Sequence, residues 1–217
     1  DLNSLQSYLK REEATKKDIM PEINKDYKEE DYVEFIVKGE LSTPLIIKSP
    51  RSFNPNEADD TSMKTSSGKY IIPGSSFKGV LRSRIETISN YFGSMDKGQE
   101  LFGQVEREGK DHILSSIFVK EVGIDNSQYL KTVEYNRIKL DKFTSGVRYG
   151  SLMQDVPVKG STDFHILYRK KGDKALDDFA IGIIALALRD LGTENIALGG
   201  NDNIGRGRFK GSSMTIR

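Results

Sequence analysis

The apolar residues of this 217-residue chain recur with two periods, one typical of helices and the other of strands. From Ser75 to about Phe92 they return every three or four positions, which predicts a helix with one stripe facing a core, formed by Phe77, Leu81, Ile85, Ile88 and Phe92. Residues 175–191 predict a second helix, apolar over so much of its surface that it must pack on more than one neighbour.

Shorter apolar runs predict strands around these helices, at residues 32–41, 113–122, 132–140, 163–169 and 209–216. The order of strand, helix, strands, helix and strand predicts an α+β fold, with a ferredoxin-like or RRM-like antiparallel sheet and helices on one face. Residues 44–68 are rich in Ser, Pro, Asn and Asp and predict a long loop, and residues 140–157 predict an irregular projection.

The first 31 residues differ in composition from the rest of the chain. They contain nine acids, six bases and no glycine, with apolar residues at loose helical spacing. We interpret residues 1–31 as a charged N-terminal extension or linker that includes a short helix. Residues 32–217 are long enough for one domain with one core.

Composition excludes several functions. The chain has no cysteine, so disulfides and thiolate metal sites are excluded, and its two histidines, His112 and His165, lie too far apart for a zinc-binding pattern. The longest apolar run, residues 179–188, contains Gly182 and is too short to cross a bilayer. We therefore expect a soluble, cytoplasmic protein without zinc and without a membrane partner.

The start of the first helix has the features of an anion site. Pro-Gly at 73–74 is a turn signal, and Ser75 or Ser76 is predicted to be the helix N-cap. Lys78 and Arg82 lie four positions apart and share one edge of the helix. Bare N–H groups and two cations would then face an anion together. The alternative is an ordinary capped helix with a solvated cationic edge.

A glycine-rich segment, residues 199–211, carries three cations and one acid near the end of the chain. The spacing of its last three glycines misses the dinucleotide-binding pattern by one residue, and no helix follows. Gly205 and Gly207 would let an RNA backbone approach, and Arg206 and Arg208 would contact its phosphates. The alternative is a hairpin turn with exposed arginines.

Residues 136–148 combine cations with one aromatic residue. Arg137, Lys142 and Arg148 surround Phe143, which could act as an apolar wedge on a projecting loop. Single-stranded RNA is typically held by cationic grooves and by side chains that stack on its bases or separate them. The alternative is that Phe143 fills the core of the domain.

Taken in their order along the chain, the three segments resemble the repeat-associated (RAMP) superfamily of CRISPR effector proteins, most closely the backbone subunit of type III complexes. The family pattern runs from an I-P-G-S-S-x-K-G-x-x-R segment to a terminal G-G-x-x-x-x-G-x-G loop, and this chain matches it at residues 72–82, 101–103, 141–146 and 199–207. Lys142 replaces the usual arginine of the third segment, and a serine is inserted before its glycine. The resemblance covers about residues 32–217 and implies the ferredoxin-like fold with a projecting thumb loop.

The resemblance also implies partners and sites. The partners are guide RNA, complementary target RNA and other effector subunits, with copies of this chain among the candidates. The segment around Phe143 corresponds to the thumb that interrupts the guide–target duplex. The candidate RNA-binding residues are Ser75, Ser76, Lys78, Arg82, Arg137, Lys142, Phe143, Arg148, Gly205, Arg206, Gly207 and Arg208.

Asp59 and Asp60 are the candidates for catalysis. In family members that cut target RNA, an aspartate of the long loop supports metal-dependent cleavage and lies five residues before a basic residue. Asp59 and Lys64 reproduce this spacing, whereas Asp60 is one residue short. Asp59 would then bind Mg²⁺, which is needed only if the chain cleaves RNA. The loop departs from the family pattern because it lacks the usual histidine-glycine run near residues 46–48.

Two other functions remain open at this point. A guide-processing or stand-alone RNA endonuclease of the same superfamily would use histidine, tyrosine or lysine for acid–base chemistry. Both histidines lie outside the three motifs, which argues against it. A self-assembling scaffold subunit would bind no RNA and would use a sheet edge to pack copies of itself.

Overall fold

The computed structural model describes residues 31–50, 58–103, 113–125 and 134–217. The chain divides into two units between Asp31 and Tyr32, and the second unit, Tyr32–Arg217, contains the described helices and strands. The helix predicted within residues 1–31 lies outside the described residues. None of the described helices is long and apolar enough to cross a membrane.

Along the described part of the chain, runs of strands are separated by helices. The strands are β1 (Tyr32–Leu41), β2 (Asp60–Thr61), β3 (Ile71–Ile72), β4 (Ile117–Val119), β5 (Val122–Gly123), β6 (Tyr135–Arg137), β7 (Met153–Val156), β8 (Ser161–Arg169), β9 (Thr193–Ala197) and β10 (Arg208–Ile216). The α-helices are α1 (Gly74–Tyr91), α2 (Met95–Glu100) and α3 (Lys174–Gly192), and a short 3₁₀ turn covers Asp202–Ile204.

The main sheet has five strands in the order β4-β8-β1-β10-β9, and neighbouring strands are antiparallel. The elements β1, α1, β4, β8, α3 and β10 follow the βαββαβ order and strand arrangement of a ferredoxin-like fold. Strand β9 extends the sheet beside β10. The predicted α+β fold with an antiparallel sheet is confirmed.

The core lies between this sheet and the two long helices. In β8, alternate residues from Thr162 to Tyr168 are buried, as expected for a sheet covered on one face. The Phe164 ring lies 4.2 Å from the ring of Phe77 in α1 and 5.1 Å from the ring of Phe209 in β10, measured between centroids. These three buried rings join the helical layer to the sheet.

A small second sheet forms from β6, which lies within the strand predicted at 132–140, and from two short strands in segments predicted to be loops. Strand β2 pairs in parallel with β7, and β6 pairs antiparallel with the other side of β7. The described part of residues 44–68 is more than a loop, because residues 45–47 are buried and Leu45 bridges to Val158. The irregular projection predicted at 140–157 is likewise shorter, since it ends in β7.

Several element boundaries differ from the predicted ones. Phe92 lies beyond α1 and is 63% exposed, so it does not belong to the core stripe. The strand predicted at 113–122 is the shorter β4, followed by a separate β5 that pairs with β3. The strand predicted at 132–140 is, within its described part, the three residues of β6.

Candidate nucleic-acid interface

Helix α1 begins one residue earlier than predicted. Gly74 is its first residue and Pro73, with an extended ψ of 138°, is its N-cap. Among the described residues no side chain caps it, so the predicted capping by Ser75 or Ser76 is wrong. A Cβ atom on Gly74 would lie 2.6 Å from the carbonyl oxygen of Val119, so glycine allows the helix to start against β4. The first turn carries no acid, which leaves the positive end of the helix dipole uncompensated there.

A groove runs along α1, from Ser76 to Thr87, beside β9 and the glycine-rich connection from β9 to β10. Its volume is about 570 Å³. Most of its lining is polar or glycine: Ser76, Gly79, Val80, Ser83, Arg84, Thr87, Asn195, Ile196, Ala197, Gly199, Asp202 and Arg208. The structure thus brings two of the three sequence motifs, in residues 72–82 and 199–211, to one site.

Two arginines line this groove, and the chain holds both in place. The guanidinium of Arg208 donates to the carbonyl oxygen of Glu194 at 2.7 Å. Arg84 donates to one carboxylate oxygen of the buried Asp190 through Nε at 2.8 Å and Nη2 at 2.6 Å. Arg208 is a predicted site residue, whereas Arg84 is not. The signal for Arg84 is its position about two turns after Ser76, on the same side of the helix.

Lys78 and Arg82 lie on another side of α1. The Lys78 ammonium donates to Ser115 Oγ and to the carbonyl oxygen of Ile117, both at 2.8 Å. Burial, and then the charge of Arg82, lower the pKa of Lys78. Arg82 pairs with Glu86 one turn later, at 2.8 Å. Lys78 thus contacts β4, and the guanidinium carbon of Arg82 lies 5.9 Å from the centre of the Phe102 ring. Neither cation lines the groove with Arg208.

The glycines of the C-terminal loop have different surroundings. Gly207 is buried with φ at 73°, and a Cβ atom there would overlap the carbonyl oxygen of Leu198. Gly205 is exposed with φ at 81°, and a Cβ atom there would meet nothing within 4 Å. Gly207 therefore serves the packing of the loop, and Gly205 is the one that leaves backbone accessible to a ligand.

Two other predicted cations meet at a carboxylate that sequence reasoning misses. Asp155 of β7 is completely buried; Arg137 Nε donates to its Oδ1 at 3.3 Å, and Arg206 Nη1 donates to its Oδ2. The guanidinium carbon of Arg206 lies 4.8 Å from the centre of the Tyr135 ring. Burial, followed by the charge of Arg137, lowers the pKa of Arg206. The side chain of Arg206 is 7% exposed, so its guanidinium is bonded within the protein and does not face solvent.

The two candidate catalytic aspartates differ in their exposure to solvent. Asp60 is buried, and its carboxylate pairs with Lys48 at 2.6 Å. Asp59 is exposed, and its Oδ2 accepts a hydrogen bond from the backbone N–H of Gln154 at 2.9 Å. Across the described ranges, no group of three or more acidic or histidine side chains could hold a metal ion. A divalent ion here would therefore depend on Asp59 and on oxygen ligands from a substrate.

The segment after β6 folds into a hairpin closed by a bridge between Leu140 and Val147. Its turn is held by the Asp141 carboxylate, which accepts from the backbone N–H groups of Thr144 at 2.9 Å and Phe143 at 3.0 Å. These bonds, that of Thr144 first, lower the pKa of Asp141. The carboxylate thus acts as an Asx-type cap for the turn.

Apolar side chains cover this hairpin, residues 138–152, without being buried. Phe143 is 91% exposed, so the alternative that it fills the core is wrong. Lys142 and Arg148 are exposed on the same hairpin. The other exposed apolar residues are Ile138, Leu140, Val147, Tyr149 and Leu152. An exposed apolar patch of this kind marks an interaction surface.

Comparison with known proteins identifies the family. The model of the RAMP superfamily matches residues 38–210, and the chain belongs to this superfamily. The resemblance in its sequence motifs is thereby confirmed. A comparison with curated protein sequences finds no match.

Among solved structures, the chain is similar to one in the cryo-EM structure of the Type III-B Cmr-beta bound to cognate target RNA. The TM-score is 0.58 and the sequence identity is 16%, over 99% of this chain and 64% of that chain. At this identity the likeness shows a shared fold, and this chain spans 64% of the length of the other.

Proposed function

We propose that this chain is an RNA-binding subunit of a type III CRISPR effector and that the groove between α1 and the glycine-rich loop holds the sugar–phosphate backbone of guide RNA. The observation that carries the proposal is the meeting of two motifs at that groove, in a chain of the RAMP superfamily. Further support is that the structurally similar chain belongs to an assembly described as bound to cognate target RNA.

The chemistry of the groove suits an RNA backbone. The uncapped start of α1 offers N–H groups and the positive end of its dipole to a phosphate, and Ser76 of that turn lines the groove. Arg208 adds a cation that its bond to Glu194 fixes in place. Because this bond uses only one of several guanidinium donors, the others can bond to a phosphate. Asn195 and the hydroxyl groups of the lining can bond to ribose 2′-hydroxyls, which distinguish RNA from DNA.

We assign the hairpin 138–152 to the duplex of guide and target. Phe143 is an exposed apolar side chain between the exposed cations Lys142 and Arg148. Cations attract both strands, and an apolar side chain can separate neighbouring bases. Other subunits of the effector, with copies of this chain among them, would then complete the path of the RNA.

Cleavage of target RNA is a second and finer proposal, in which Asp59 carries the activity and Asp60 does not. Asp59 is exposed, whereas Asp60 is buried and paired with Lys48. Mg²⁺ is commonly held by one or two carboxylates together with substrate phosphates, so a single exposed aspartate fits its ligand needs. Bound Mg²⁺ would neutralise charge on the phosphate that is cut. Asp59 would position the Mg²⁺ ion, and the backbone N–H of Gln154 would orient the Asp59 carboxylate.

The alternative functions have weaker support. His165 lies outside the lining of the groove, with Nδ1 at 3.2 Å from Glu34 Oε1 in the main sheet, and His112 lies outside the described residues. The described lining of the groove therefore contains no histidine that could serve a histidine-based endonuclease. A scaffold that binds no RNA would not explain why the start of α1 has no side-chain cap and no acid in its first turn.

Titration of labelled single-stranded RNA, followed by fluorescence anisotropy, tests the proposal. We expect Arg208→Gln to weaken binding and to reduce the slope of log K against log salt by about one, because one phosphate contact is lost. Arg169→Gln, whose side chain lies beside Phe118 on the main sheet, is the matched control and should change neither value. Unchanged binding by Arg208→Gln would contradict this placement, and no RNA binding by the wild type would favour the scaffold.

A further inference from the structure

Asp155 connects two segments that lie far apart in sequence. Its Oδ1 binds Arg137, at the end of β6 where the hairpin 138–152 begins, and its Oδ2 binds Arg206 between two glycines of the C-terminal loop. The partners lie 18 and 51 residues from Asp155 in sequence. One carboxylate therefore holds the base of the hairpin and the glycine-rich loop at the same time.

Burial makes this connection strong. Asp155 is 0% exposed and Arg206 is 6% exposed, and a buried charge that loses its partner is strongly destabilising. The two arginines also repel each other, since the charge of Arg137 contributes to the lowered pKa of Arg206. Loss of either arginine removes the donor to one oxygen of the buried Asp155 carboxylate, and the carboxylate then holds the other arginine less firmly.

The geometry fixes the orientation of Arg206 as well. Tyr135 is the register partner of Asp155 in the pairing of β6 with β7, so the ring and the carboxylate lie side by side on one face. The Arg206 guanidinium contacts both, with its carbon 4.8 Å from the ring centre. A displacement of β6 would therefore move the ring, Arg137 and the glycine-rich loop together.

We propose that Asp155 is a positioning residue that couples the glycine-rich loop to the hairpin 138–152, so that guide RNA bound in the groove fixes the hairpin for target RNA. This use of the coupling rests on the proposed function. Arg137 and Arg206 then act as internal clamps, and phosphate contact in the groove falls to Arg208 and the start of α1. The two RNA-facing segments behave as one unit because they share a buried counter-ion.

Hydrogen exchange without RNA tests the coupling itself. We expect Arg137→Gln to speed amide exchange in residues 199–207, and Arg206→Gln to speed it in residues 138–152, each on the order of tenfold relative to the core strand β8. Asp155→Asn should speed both. If each arginine variant affects only its own segment, the coupling is wrong, and this holds even if Asp155→Asn does not fold. Asp163→Asn, an acid-to-amide change at a half-exposed ion pair with Lys38, is the control and should leave both segments unchanged.

A second arm adds single-stranded RNA to the wild type and to Asp155→Asn. In the wild type, RNA should protect residues 199–207 and 138–152 together. In Asp155→Asn, protection of the first segment should no longer extend to the second, whereas a merely structural loss would raise exchange in β8 as well. Joint protection that persists in Asp155→Asn would overturn the proposal. A wild type that binds no RNA would refute the proposed function, and the RNA-free arm would still decide the coupling.

Discussion

Asp60 is the register partner of Asp155 in the parallel pairing of β2 with β7, so two buried carboxylates stand side by side. Such a pair is tolerated because cations surround it: Lys48 binds Asp60, and two arginines bind Asp155. Asp60 therefore has a structural role in the second sheet. Its neighbour Asp59 is the exposed carboxylate at this place.

The difference between the two aspartates can be measured. Because Asp60 is buried and ion-paired, we expect Asp60→Asn to lower the free energy of unfolding by about 1–3 kcal/mol. Asp59→Asn lies at the surface and should stay within about 0.5 kcal/mol of the wild type. In an assembled complex with Mg²⁺ and matched target RNA, Asp59→Asn should abolish any cleavage while RNA binding persists. Cleavage that survives Asp59→Asn would remove this residue from the chemistry.

The two glycines should respond differently to substitution by alanine. Gly207→Ala places a methyl group on the carbonyl oxygen of Leu198, so we expect a loss of stability of about 2–3 kcal/mol. Gly205→Ala meets no neighbour and carries only the strain of its positive φ, about 1 kcal/mol. Urea denaturation measures both. If Gly205→Ala were the more destabilising of the two, the packing described for this loop would be incorrect.

Local patterns account for what the sequence predicts well. The periods of the two long helices and of β1, β8 and β10 are set within each segment, and these elements form close to their predicted positions. Lys78 and Arg82 do share one edge of α1, but which edge faces the groove depends on how the helix packs against β4. Spacing along the chain carries no information on that choice.

The buried ion cluster around Asp155 cannot be predicted from the sequence for a related reason. Strand β7 is only four residues long and places a charge where alternation predicts an apolar residue. The partners that make this burial possible come from two other segments. Arg137 and Arg206 can be recognised as special residues from their motifs, but their engagement inside the protein is a tertiary property.

Phe143 should matter to RNA and not to the fold. Since its side chain is 91% exposed, we expect Phe143→Ala to change the free energy of unfolding by no more than about 0.5 kcal/mol. In the proposed complex it should alter the target duplex near the hairpin, as reported by chemical probing of base pairing, and leave binding of guide RNA alone unchanged. Phe77→Ala, a buried control, should cost about 3–5 kcal/mol of stability. A comparable loss for Phe143→Ala would place that ring in a packed core.

The turn of the hairpin should depend on pH through Asp141. Hydrogen bonds to its ionised form lower its pKa, so the ordering contribution is fully present above the ordinary value of about 3.9 and is lost as pH falls through the lowered value. We therefore expect the amide resonance of Thr144 to stay constant from neutral pH to about pH 4 and to shift only in stronger acid. Asp141→Asn should remove the acid transition. A transition at Thr144 that persists in Asp141→Asn would show that another group titrates there.

Mapping the RNA contact by ultraviolet crosslinking and mass spectrometry tests the central claim most directly. With single-stranded RNA bound to the wild type, we expect adducts on peptides that line the groove, around Ser76, Asn195 and Arg208. RRM-type binding would instead use the open face of the main sheet and give adducts near Phe118 and His165. Adducts confined to that face, or no adducts at all, would contradict the account.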